Sequence, residues 1–67
     1  MEKYKLVILF YGKDGKIKRT EKEMTCCGSY VISDYLSKVE GLYCAVCLIR
    51  KENNWVYNGE YIPRESV

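Results

Sequence analysis

The chain has 67 residues and no histidine. That absence removes Ser-His and Cys-His nucleophile activation and most metal-activated water mechanisms, since histidine is the side chain that ordinarily moves a proton near neutrality. Long apolar runs are missing too. The longest, Leu42 to Ile49, falls far short of the roughly 20 residues of a membrane-crossing helix. The first residues lack an apolar segment followed by a small-residue cleavage site, so the expectation is a soluble, cytoplasmic protein with no membrane contact. Paired carboxylates are also absent. Asp14, Asp34 and the scattered glutamates make no acid/base pair, and Gly12-Lys-Asp-Gly15 lacks the following helix and the Lys-Ser/Thr signature of a phosphate loop. No enzyme and no cofactor are expected.

What is present is a globular composition, 48% hydrophobic and 30% charged. The length fits a single small domain, residues 1–67, in which apolar burial and chain entropy nearly cancel. A staple, a metal or a partner subunit would therefore add useful stability. The net charge of +2 is uneven: residues 1–24 carry seven Lys or Arg against four acids, while residues 25–67 carry four against five. The basic excess lies in the first third, with Lys13, Lys16, Lys18, Arg19 and Lys22 as its members around the first turn.

Lys3 to Tyr11 alternates Tyr4, Leu6, Ile8, Phe10 with Lys5, Val7, Leu9, Tyr11, which predicts a strand apolar on both faces and therefore central. Gly12 to Gly15 supplies a turn, and Lys16 to Met24 reads as an exposed return strand whose mixed charges discourage edge pairing. From Ser29 to Glu40 the residues Ile32, Tyr35, Leu36 and Val39 recur at helical spacing, with Ser29 the expected N-cap and Gly41 the expected stop. Leu42 to Arg50 is a second central strand, Lys51 to Asn54 a turn, and Trp55 to Ile62 a further strand with Gly59 as a bulge candidate. Pro63 stops it, and residues 64–67 form a short tail. The predicted fold is α+β with the order ββαββ: a mainly antiparallel four-stranded sheet with one helix packed on one face.

Four cysteines, arranged as Cys26-Cys27 and, after sixteen intervening residues, Cys44-Ala-Val-Cys47, raise the alternative of a zinc-stabilised small domain. Residues three apart in an extended strand point to opposite faces, and Val46 favours extension, so the second pair converges on one ion only if the backbone turns. Adjacent Cys26 and Cys27 have poor ligand spacing. A bridge from Cys26 or Cys27 to Cys44 or Cys47 is a second alternative, and free buried thiols acting as small hydrophobes are a third.

One helix covers only one face of such a sheet. Several of Lys5, Val7, Leu9, Tyr11, Tyr43, Cys47 and Ile49 are left on the other, and an uncovered apolar face is normally a binding or dimer surface. Trp55, Tyr57 and Tyr61 share one face of the last strand if no bulge shifts them, and Tyr43 joins them if the register allows. The expectation is a small non-enzymatic interaction, inhibitor or adaptor protein that binds a protein partner, or a second copy as a homodimer, through an aromatic sheet face or edge, with Tyr43, Trp55, Tyr57 and Tyr61 as anchors. The alternative is a nucleic-acid-binding module built on the basic hairpin, with Arg50, Lys51 and Arg64 near the aromatic residues. Its electrostatics are weak.

Overall fold

A strand with apolar side chains on both faces gains most from an interior place in a sheet, and Glu2–Tyr11, β1, takes one. The computed structural model describes residues 1–63 and continues with β2 (Ile17–Cys26), α1 (Ser29–Ser37), β3 (Leu42–Lys51) and β4 (Asn54–Tyr61). All neighbours pair antiparallel in one sheet of four strands ordered β2-β1-β3-β4. The predicted ββαββ, α+β architecture is what the chain adopts. Both apolar strands are interior, and the charged return strand is an edge.

The core lies between the sheet and α1. Tyr4, Leu6 and Ile8 of β1, Ala45 and Ile49 of β3, Cys26 at the end of β2, and Ile32 and Leu36 of α1 are its buried members. The helical stripe holds, since Tyr35 and Val39 pack against this cluster. The helix is shorter than the Ser29 to Glu40 span predicted from it and ends at Ser37, with Lys38 as C-cap. Gly28 is the N-cap in place of Ser29, and it provides no side-chain cap.

Gly41 does adopt a left-handed conformation, at φ 71°, but its role is to start β3. Its carbonyl accepts the Tyr11 N–H at 2.8 Å, and a Cβ there would lie 3.3 Å from the Tyr11 oxygen. This close approach sets the end of β3 against the end of β1. The last turn is tighter than predicted: Lys51 pairs with Asn54, leaving Glu52 and Asn53 as its corner, with Glu52 at φ 56°.

Candidate protein-binding face

Strand register assigns every side chain to a face. On the side away from α1, Val7 lies opposite Val46 and Glu21, and Leu9 opposite Cys44 and Arg19. Lys5 lies opposite Leu48 and Glu23. Val7, Leu9, Cys44, Val46 and Leu48 thus form a stripe down the two central strands, half-buried by their own neighbours. Among the described residues no helix or loop lies over it.

The two ends of this face differ in chemistry. At one, the Trp55 indole reaches across β3, with Lys5 Nζ 4.8 Å and the Arg50 guanidinium carbon 5.3 Å from its ring centre. Each such cation–π contact contributes roughly 0.5–1 kcal/mol at an exposed site. Along the β2 side, from that end to the middle of the face, Lys3 pairs with Glu23 at 3.5 Å, Lys5 with Glu21 at 3.9 Å, and Arg19, opposite Leu9, with Glu21 at 2.6 Å. At the other end, Tyr11 and Tyr43 meet edge to face with ring centres 5.7 Å apart, and Tyr11, Ile17 and Tyr43 are each about half exposed. This second end is apolar and accessible.

Two bulges decide which predicted residues share the face. The register shifts between Leu9 and Phe10, where Leu9 pairs with Cys44 and Phe10 with Leu42. Tyr43 is the extra residue, and it stands beside Tyr11. A second shift lies between Cys47 and Leu48, which pair with Gly59 and Tyr57 and leave Asn58 unopposed. Gly59, at φ 145°, has a backbone that L side chains rarely adopt. As a result Trp55, Tyr57 and Tyr43 stand on the open face, while Tyr61 pairs with Ala45 and packs against the core under α1. Of the residues expected on the open face, Cys47 and Ile49 are also on the helix side, and Cys44, Val46 and Leu48 take their place. Gly59 was the available signal for Tyr61, but nothing local marked the bulge at Tyr43.

The thiols are separated by the same register. Cys44 faces away from α1, and Cys47, opposite Leu6, faces toward it, within a strand that stays extended between them. All four cysteines are free thiols. Among the described residues no group of three or more His, Cys, Asp or Glu is placed to hold a metal ion. Burial pushes the Cys47 thiol above its ordinary pKa, which the Asn58 amide, donating at 3.8 Å, partly offsets. Cys27 is exposed and sits 2.8 Å from the Tyr30 hydroxyl.

The basic residues are not gathered on one surface. Lys18 and Lys22 lie on the helix side of β2, opposite Phe10 and Leu6, and Arg19 lies on the other. Lys18 pairs with Asp14 at 3.6 Å, Lys22 sits 5.5 Å from the Tyr35 ring centre, and Lys13 and Lys16 belong to the turn. Arg50 is held by Trp55, and Arg64 lies outside the described residues.

Beside α1 a hollow of about 240 Å³ opens toward β4, with Ile32, Leu36, Cys47, Asn58 and Tyr61 among its walls. It exists because α1 covers the central strands and stops short of the β4 edge. Ser29, Ser33 and Glu60 also line it. No family model, no curated protein and no solved structure matches this chain.

Proposed function

We propose that this chain is a non-catalytic protein-binding module whose contact surface is the sheet face opposite α1. The observation that carries this reading is the apolar stripe Val7, Leu9, Cys44, Val46 and Leu48, bordered by Tyr11, Tyr43 and Tyr57 and covered by no other element among the described residues. Aromatic rings around an apolar centre are the usual composition of a protein-contact hot spot. Tyr57, 62% exposed, and Tyr43, 46% exposed, are its most accessible anchors. Trp55 is a less accessible one, already in contact with Lys5 and Arg50.

Nucleic acid fits this arrangement less well. The basic residues divide between two faces and a turn, and Lys18 and Arg19 each have an acidic neighbour within 4 Å, so few phosphates could be met along one track. The test is site-specific photocross-linking in the source cells, with the reactive side chain at Tyr43 or Tyr57 on the open face or at Tyr30 on the exposed side of α1. Adducts of one defined protein mass from positions 43 and 57, absent from position 30, are the expected result. Adducts from position 30 alone would defeat the assignment of the face.

A further inference from the structure

We infer that the occupant of the open face is a second copy of this chain, packed face to face as a two-fold sandwich. The inference rests on the reading of that face as the contact surface. Area is the first argument. The molecule measures 39 × 22 × 15 Å, so its broad side projects about 850 Å², against about 800 Å² buried by each partner of a standard interface. Pairing through the β4 edge would offer the thin side, roughly half that area for eight residues at ~3.4 Å each.

Charge layout is the second. The face carries four basic residues, Lys3, Lys5, Arg19 and Arg50, and three acidic ones, Glu21, Glu23 and Glu60, so its charges nearly balance and two such faces meet with only a single net positive charge each. The pattern is also self-complementary under one particular rotation. A two-fold axis between the sheets, running across the strands midway between the Val7–Val46 row and the Leu9–Cys44 row, sets Val7 against the partner's Leu9 and Val46 against the partner's Cys44. The same rotation brings Arg19 to the partner's Glu21, Lys5 to the partner's Tyr11, and Leu48 toward the partner's Tyr43. Aligned sheets pack about 10 Å apart with interdigitating side chains, which suits a stripe of Val, Leu and Cys.

Core size is the third. The buried core has eight members among the described residues, Ala45 and Cys26 of them small, and all lie on the α1 side of the sheet. A 67-residue chain with so small a one-sided core gains stability from a second apolar layer.

Sedimentation velocity on the full chain under reducing conditions, from about 1 to 200 µM, tests the proposal together with four variants. The expected result is a dimer that Leu9→Lys converts to monomer with unchanged far-UV circular dichroism. Arg19→Glu and Glu21→Arg each weaken association by roughly tenfold or more, and mixing these two variants in equal amounts restores it. Mixing cannot repair the intrachain Arg19–Glu21 pair, so restoration reads a contact between copies, and it remains readable if Leu9→Lys does not fold. A monomer throughout the range overturns the second-copy proposal, as does a dimer indifferent to positions 9, 19 and 21 but abolished by Val56→Pro on the β4 edge. A monomer that still cross-links a different protein from positions 43 and 57 leaves the open face as the contact surface. Adducts confined to position 30 remove both.

Discussion

Leu6 and Leu9 lie three residues apart in β1 and face opposite sides of the sheet, so truncating each to alanine measures the two faces separately. Leu6 is 0% exposed and packs in the cluster with Ile32 and Leu36. Its loss removes a full leucine transfer term and leaves a void, a cost of roughly 3 kcal/mol within the usual 2–5 range. A chain of 67 residues has a total stability of roughly 3–10 kcal/mol at 0.05–0.15 kcal/mol per residue, so Leu6→Ala leaves the protein marginal. Leu9 is half-buried and opens to solvent, so in an isolated chain the same truncation costs about 1 kcal/mol, with no cavity term. Urea titration followed by the fluorescence of Trp55, the only tryptophan, gives both values. Repeating it at hundredfold higher concentration should stabilise the parent by about 2.7 kcal/mol per dimer through mass action, and Leu9→Ala by much less. Equal costs at positions 6 and 9 in the most dilute samples, where the chain is monomeric, would refute the assignment of the core to one face. A concentration-independent difference would refute coverage by a second copy.

The other predictions concern the turn, the thiols and alkaline pH. Glu52 holds φ 56° at the last hairpin corner; Glu52→Gly should relieve the left-handed strain and stabilise by roughly 0.5–1 kcal/mol, read as an increase of several degrees in the melting temperature. Maleimide labelling followed by mass spectrometry should modify exposed Cys27 first and buried Cys26 last, with Cys47 slowed at neutral pH by its raised pKa. Burial, with added repulsion from Cys26 and Glu2, pushes the Tyr4 phenol up as burial pushes the Cys47 thiol up. Both groups hold their protons longer folded than unfolded, so stability is flat below the ordinary thiol value near 8.5 and falls as pH rises through it and the phenol value near 10. Tyr4→Phe should flatten the upper part of that decline in a series of alkaline urea melts, and an unchanged slope would show that the phenol is not buried as described.

Element order was legible because each element satisfies a local rule without help from its neighbours. Tyr4 to Phe10 alternates, Ile32 to Val39 recurs at helical spacing, and Lys16 to Glu23 is too polar for an interior strand. What was not legible depends on pairing. The placement of β1 beside β3 leaves no local trace, since either apolar strand could occupy either interior position. The extra residues at Tyr43 and Asn58 follow from how neighbouring strands accommodate one another. A shift of one residue reverses the face of everything beyond it, which is why Tyr61 lies under α1 instead of beside Tyr57. The helix ends early for a similar reason: Gly41 is held by Tyr11, so the chain between Ser37 and Leu42 serves the start of β3.

Width explains why the fold leaves a surface to be used. Four strands spaced about 4.8 Å apart make a sheet close to 19 Å across, whereas one helix with its side chains is about 10 Å wide. On the side that α1 occupies, this mismatch produces the hollow along β4 and a second one of about 330 Å³ past the end of the helix, bordered by Leu36, Val39, Leu42 and Tyr61. On the other side it leaves the whole width open. The two edges carry their own protection: β2 presents Lys18, Arg19, Glu21, Lys22 and Glu23, and β4 is kinked at Asn58 and Gly59. On the open face the cation–π contacts lie at the Trp55 end, Glu21, Arg19 and Glu60 flank Val7, Leu9 and Val46 in the middle rows, and Tyr11, Ile17 and Tyr43 make up the apolar other end. The proposed contact with a second copy would bury this apolar middle and the Tyr11–Tyr43 end together, and the dimensions of the face match the area such a contact needs.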